Sequence, residues 1–296
     1  MKHITVLLKE GVDALALKSD SVVLDATHGA GGHGVSICEI LGPSGVYIGI
    51  DADPTALKDS PLADHKGGPS IHLVQNNFAQ IEEVVRSLHI SQVDGILADL
   101  GWRTDQFTDG GKGFSFSADE PLTMTYGDPE AYTFTAHDIV NEWDEENIAD
   151  IIYGYGEERQ SRKIARAIVV ARAVSPIKTA RELAQVIEAV MPPFYKRAKI
   201  NPATKTFQAL RIAVNDELGV LETFISKASA LLAPQGRLAI ISFHSLEDRI
   251  VKLRFKDLVA TGEFSLVVKK PITPSDDELL ANPRARSAKL RILEKT

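Results

Sequence analysis

Cysteine is nearly absent from this sequence: Cys38 is the single thiol in 296 residues. One thiol cannot build an internal disulfide framework, and without a CxxC pair there is no thiolate set for structural zinc. Long apolar runs are missing as well, with nothing approaching the roughly 20 residues needed to span a bilayer. The opening segment, Met1 to Glu10, holds one short apolar patch, Val6-Leu7-Leu8, before charge resumes, so a signal peptide is not expected. Together these absences lead us to expect a soluble, cytoplasmic protein with no membrane partner. Basic residues are missing locally: residues 114–150 hold ten acids and neither Lys nor Arg.

The composition that remains, 44% hydrophobic and 25% charged, is that of a globular chain with one large domain or two unequal ones. The net charge of −7 conceals an asymmetry, because residues 154–211 carry twelve basic side chains against four acids. A local basic surface suffices to bind phosphates whatever the overall charge. The same Arg and Lys stems can equally cover apolar helix surface.

Short β-branched runs alternate with helical stretches over the first hundred residues. Strands are expected at Ser21–Ala26, Val46–Ile50, Ile71–Gln75 and Val93–Leu100, with helices through Val35–Leu41, from Pro54, and at Ile81–Leu88. Strict alternation argues for an α/β fold with a doubly wound parallel sheet. The pattern stops at a Gly-, Asp- and Ser-rich stretch from about Asp105 to Pro121. Helices are then expected at Ala136–Asn141, Glu145–Tyr153, Glu157–Ala173 and Thr179–Ala189, the last with Thr179 and Glu182 as a capping box. A long helix at Thr206–Leu232, a strand at Arg237–Phe243, a helix at Leu246–Phe255 and two edge strands, Phe264–Lys269 and Ala288–Glu294, complete the reading. It gives a sheet domain of residues 1–112 and 203–296 and an inserted all-helical domain of residues 113–202.

The turn Gly29-Ala30-Gly31-Gly32-His33-Gly34 follows the first strand, and Asp51 ends the second, twenty residues beyond Gly31. Glycine permits positive φ and close ligand approach, a helix N-terminus offers amides, and a carboxylate at Asp51 suits ribose hydroxyls. This serves NAD and S-adenosylmethionine equally. Three features tilt the choice to S-adenosylmethionine. Asp25 would suit the ammonium of a methionine moiety, Asp99 places a carboxylate at the fourth strand end, and Phe78 could lie against an adenine. Each has a plain alternative: the acids can cap loops, and Phe78 can be core.

Longer segments carry a resemblance. They are His3-Ile4-Thr5-Val6-Leu7-Leu8, Asp25-Ala26-Thr27 with Gly31-Gly32-His33, Ile50-Asp51-Ala52-Asp53-Pro54, Asp94-Gly95-Ile96-Leu97-Ala98-Asp99-Leu100-Gly101, Gly113-Phe114-Ser115-Phe116 and Tyr155-Gly156-Glu157-Glu158-Arg159. Further on come Pro202-Ala203-Thr204-Lys205-Thr206-Phe207-Gln208-Ala209-Leu210-Arg211-Ile212, Ser242-Phe243-His244-Ser245-Leu246-Glu247-Asp248-Arg249 and Asn282-Pro283-Arg284-Ala285-Arg286-Ser287. In this order they resemble the ribosomal RNA small subunit methyltransferase H (MraW) family over nearly the whole chain. The resemblance implies a class I S-adenosylmethionine methyltransferase fold (a Rossmann-like sheet) with a helical insertion. The implied activity is methylation of the exocyclic N4 amine of a cytidine in the decoding region of small-subunit (16S) rRNA. The implied cofactor contacts are Gly31, Gly32, His33, Asp51, Phe78, Asp99 and Gln106, with S-adenosylmethionine as cofactor. Three segments depart from the family pattern: Trp102-Arg103-Thr104-Asp105 before Gln106, Thr123-Met124-Thr125-Tyr126, and Asn201.

The implied chemistry is positioning of amine, methyl and sulfur in line. Asp99 is the catalytic candidate, as acceptor of an amine N–H, with the Leu100 carbonyl beside it. Trp102 is a candidate to stack on the target base. The basic stretch, with Arg284, Arg286, Lys289 and Arg291, would grip RNA phosphates. His244, Glu247 and Asp248 have the look of a metal or acid–base cluster, but helix and turn hydrogen bonding explains them as well, and no metal is expected. The expected partner is 16S rRNA or the assembled small subunit, with a homodimer left open. Rival functions are an RNA-binding or assembly protein that keeps the fold without catalysis, and an NAD(P)-dependent oxidoreductase.

Overall fold

The computed structural model describes residues 4–65, 67–100, 111–116, 119–196 and 201–296. The chain divides into two compact units, residues 1–103 with 218–296, and residues 104–217. Residues 204–215 therefore group with the helical unit rather than with the sheet domain. The reason is a shared core: Ala203, Phe207, Leu210 and Val214 pack with Ile139, Ile148, Ile152, Ile164, Ile168, Leu183 and Ile187.

The first unit is built on a seven-stranded sheet of order β3-β2-β1-β4-β5-β7-β6. Its strands are β1 (Val22–Asp25), β2 (Val46–Asp51), β3 (Ser70–Gln75), β4 (Val93–Asp99), β5 (Leu232–Ser242), β6 (Phe264–Leu266) and β7 (Lys289–Lys295). The first five run parallel, and β7 is antiparallel to both β5 and β6. This is the doubly wound, largely parallel α/β sheet expected from the sequence, with an antiparallel edge. β5 begins five residues earlier than expected, through an irregular start in which Val93 pairs with Leu232 but Gly95 with Arg237. Because side chains alternate across a strand, Leu24, Ile48, Ile96 and Ile240 face one layer and Val23, Tyr47, Leu97 and Ile241 the other. Helices α1 (Leu8–Ala14) and α2 (Gly32–Ile40) cover the second face. The first is covered by α4 (Ile81–Ser87) and by the helices Glu217–Leu231 and Ser245–Ala260. Each large side chain buried there contributes about 1.5–3 kcal/mol. The short α3 (Pro54–Lys58) opens after β2 with Asp53 as its N-cap.

The second unit holds α5 (Ala136–Glu142), α6 (Glu145–Gly156), α7 (Ser161–Val174), α8 (Ala180–Val190) and α9 (Thr204–Asn215). The capping box at Thr179 and Glu182 is formed. Two expected helices are corrected. Glu157 adopts φ 48° and ends α6, so the next helix starts at Ser161 rather than Glu157. Asp216 adopts φ 46° and breaks the expected Thr206–Leu232 helix into α9 and α10 (Glu217–Leu231). A left-handed residue cannot propagate a right-handed helix, and Asp is among the few side chains that tolerate it. The α11 helix is Ser245–Ala260.

Candidate functional site

The sheet order reverses direction between β1 and β4, and in such sheets ligands bind outside the carboxyl ends of the strands at the reversal. Thr27, just beyond β1, accepts the backbone N–H of Asp99 at the end of β4, 2.6 Å from its Oγ1. Together with Ala26 N–H donating to the Leu97 carbonyl at 2.8 Å, that bond ties the two strand ends, and no spacing in the sequence points to Thr27.

Gly29 and Gly31 adopt φ 55° and 77°, conformations that glycine reaches without penalty. Gly31 is the N-cap of α2, and no side chain caps that end. The first amides of the helix lack intrahelical acceptors, so this terminus suits an anionic group such as a carboxylate. Gly32 has a different cause. A Cβ there would overlap Thr5 Oγ1 and lie 3.0 Å from Thr5 Cβ, so the chain's own N-terminal segment demands this glycine.

Asp51, at the end of β2, is half-buried. One carboxylate oxygen accepts Gly29 N–H at 2.8 Å and the other accepts Asp53 N–H at 2.9 Å. A carboxylate at a strand end is an acceptor suited to hydroxyls. Phe78 sits after β3, edge-to-face with Phe224 at a centroid distance of 5.3 Å. Its backbone is braced by Lys227 donating to the Ala79 carbonyl and by Asn77 capping the Ala79 N–H. His33 is buried, with Nδ1 3.9 Å from Asp99 Oδ2 and its other edge against Gly11 of α1. Gly31, Gly32, His33, Asp51, Phe78 and Asp99 therefore all lie at the carboxyl ends of the strands. Gln106 and Trp102 to Asp105 lie outside the described residues.

Asp25 is a correction. It is 1% exposed, its oxygens accept Thr27 N–H and Tyr47 O–H, and burial raises its pKa despite those bonds. It is an internal anchor and does not face a ligand ammonium. The donor set that remains, an uncapped helix N-terminus, a presented carboxylate at Asp51 and an aromatic at Phe78, fits a cofactor with a carboxylate, ribose hydroxyls and an adenine.

His244 caps α11 through Nδ1 and Glu247 returns to the Phe243 and His244 N–H groups. Asp248 holds Arg291 at 2.7 Å and Lys289 at 2.9 Å, so these two cations are paired within the fold, while Arg284 and Arg286 are exposed. In the helical unit Arg172 bonds the Val140 and Trp143 carbonyls and Arg211 pairs with Glu217. Lys163 and Arg166 are exposed, and Arg162 pairs with Asp150 at the surface. The basic surface is thus smaller than the count of cations. Asn201 bonds Glu188 and caps Ala203 N–H at the start of α9. Tyr126 stacks on Phe114. Arg197 and Lys199 lie outside the described residues.

Over 293 residues the chain is 46% identical to the ribosomal RNA small subunit methyltransferase H of Deinococcus radiodurans, covering 99% of this chain and 89% of that protein. The enzyme of the same name from Koribacter versatilis is 44% identical over 300 residues, with 98% and 92% covered. The Brevibacillus brevis protein is 44% identical over 308 residues, with 99% and 98% covered. The MraW methylase family model matches residues 1–296, and the chain belongs to that family.

Proposed function

We propose that this protein transfers the methyl group of S-adenosylmethionine to the exocyclic N4 amine of a cytidine in the decoding region of 16S rRNA. It is a methyltransferase of small-subunit rRNA; the nucleotide and atom are our finer reading. The observation that carries it is the junction of β1 and β4, where Thr27 ties Asp99 beside the Gly29–Gly32 turn with Asp51 at the next strand end. The cofactor, when bound, supplies an electrophilic methyl on a sulfonium.

In this reading the N-terminal amides of α2 hold the cofactor's carboxylate, Asp51 takes the ribose hydroxyls, and Phe78 lies against the adenine. Gln106 completes the contacts. Gly31 and Gly32 let the backbone approach, and His33 orients Asp99. A cytosine amine is a poor nucleophile because its lone pair is delocalised into the ring. Asp99 accepts an amine N–H and so localises that lone pair, while the fixed strand ends hold the amine in line; such positioning is worth several kcal/mol. The target base must be single-stranded or flipped to reach the site.

The exposed cations Lys163 and Arg166, with Arg284 and Arg286, take up RNA phosphates, which fix position without reading sequence. The substrate is free rRNA or the assembled small subunit, and the setting is the cytoplasm. No helix among the described residues is long and apolar enough to cross a membrane. A homodimer is compatible with this role.

The test is tritiated methyl transfer to small subunits and rRNA from cells lacking this protein, followed by mapping of the modified nucleotide. Incorporation at one cytidine N4 is expected. No transfer to any rRNA form, with rRNA binding retained, would make the protein an assembly factor instead. Calorimetric preference for NAD over S-adenosylmethionine would overturn the cofactor.

A further inference from the structure

Beneath the cofactor turn runs a buried line of four polar side chains that the transfer reaction does not use. Asp25, Tyr47, His28 and Ser60 are 1%, 0%, 3% and 7% exposed. Tyr47 O–H donates to Asp25 Oδ2 at 2.9 Å, while Thr27 N–H occupies Asp25 Oδ1. His28 Nδ1 lies 2.8 Å from the Tyr47 hydroxyl, and His28 Nε2 lies 2.7 Å from Ser60 Oγ. Ser60 Oγ also accepts Leu62 N–H at 3.1 Å.

The donors fix the direction of the line. A phenol has one proton, and Tyr47 gives it to Asp25, so its oxygen must accept from His28 Nδ1–H. A neutral imidazole with its proton on Nδ1 has a bare Nε2, which takes the Ser60 O–H. Burial holds the Tyr47 phenol well above its ordinary pKa, with the Asp25 charge adding to the effect, so the phenol remains a donor. With His28 in that neutral tautomer, every proton in the line points towards Asp25.

The line also touches the turn at several points. The His28 N–H donates to the Ile50 carbonyl, and the His28 carbonyl accepts Gly31 N–H. A Cβ at Gly31 would lie 3.3 Å from Ser60 Oγ, one at Gly49 would lie 2.8 Å from His28 Nδ1, and one at Gly34 would overlap the Tyr47 hydroxyl. Three glycines thus pack directly on this line.

We propose that Tyr47, His28 and Ser60, anchored on Asp25, are positioning residues that hold residues 28–31 in the geometry that receives the cofactor. The proposal rests on the reading of this turn as the S-adenosylmethionine site. It places the effect on binding and not on the chemical step.

The test compares the full-length protein with Tyr47→Phe, Ser60→Ala and the double variant, measuring S-adenosylmethionine affinity by calorimetry and kcat at saturating cofactor. Tyr47→Phe is expected to weaken affinity about tenfold and Ser60→Ala about threefold, with kcat within twofold. The double variant should be little worse than Tyr47→Phe, because the two residues are joined through His28. Should Tyr47→Phe fail to fold, nitrogen-15 NMR of the unaltered protein decides: a neutral His28 carrying its proton on Nδ1 is expected, and a proton on Nε2 overturns the proposal. Unchanged affinity in both variants, or strictly additive losses, also overturns it. If the unaltered protein binds no S-adenosylmethionine, it is the reading of the turn that fails, and the proposal falls with it.

Discussion

Gly32→Ala separates what the cofactor turn owes to its own chain from what it owes to a ligand. A methyl group at residue 32 would overlap Thr5 Oγ1, with Thr5 Cβ at 3.0 Å and Cγ2 at 3.4 Å. Rotating Thr5 offers little relief, since a β-branched side chain has a second heavy atom to place. Retreat of the segment is resisted by Asn282 Nδ2 donating to the Ile4 carbonyl and by Leu7 N–H donating to Glu278. Overpacking costs about 1–3 kcal/mol, and loosening those two bonds costs about 1 kcal/mol each. We therefore expect a loss of about 3–5 kcal/mol in urea unfolding followed by circular dichroism. Adding Thr5→Ala removes Oγ1 and Cγ2 and should restore at least half of the loss. If Gly32→Ala is as stable as the parent, or if Thr5→Ala restores nothing, the packing argument is wrong. A double variant that regains stability but not S-adenosylmethionine affinity would show that the ligand needs the bare backbone as well.

Asp51→Ala should weaken S-adenosylmethionine binding at least tenfold by calorimetry, because it removes a ribose acceptor and frees the Gly29 and Asp53 amides together; unchanged affinity would refute the ribose role. Replacing Arg162, Lys163 and Arg166 by Gln should weaken rRNA binding and flatten its salt dependence, with most of the change from Lys163 and Arg166, since Arg162 is paired with Asp150. For Asp248, burial opposes ionisation, but the hydrogen bonds from Arg291 and Lys289 outweigh it and lower the pKa. Its stabilisation is therefore present above the ordinary carboxylate range and is lost as pH falls through the lowered value. Asp248→Asn should reduce stability at pH 7 and shrink the loss between pH 5 and pH 2, as read from urea midpoints. Burial pushes the Cys38 thiol up to about 12, with the Asp25 charge adding to it; iodoacetamide at pH 8 should label Cys38 only after unfolding.

Much of this arrangement was legible in advance because local physics decides it. β-branched runs alternating with helical stretches specify a parallel sheet, so strands β1 to β4 and the acids that end β2 and β4 were placed by periodicity alone. The box at Thr179 and Glu182 is equally local. The helix breaks at Glu157 and Asp216 were not legible, since a left-handed residue other than glycine is adopted only where packing on both sides compensates it. The assignment of residues 204–215 to the helical unit likewise depended on which core their apolar face joins.

The same division runs through the site. Sequence alone determined that a glycine turn, Asp51, Phe78 and Asp99 stand at successive strand ends, because the succession of strands along the chain follows from short-range pattern. Only the tertiary structure decided their duties. Asp25 became an internal anchor once Tyr47 covered it, Gly32 answers to Thr5, and Arg172, Arg211, Lys289 and Arg291 are spent on internal partners. Tyr47, His28 and Ser60 are far enough apart in the chain that no spacing rule links them. They meet because β1 and β2 pair in parallel, and a buried polar group must find its partner wherever the fold brings one.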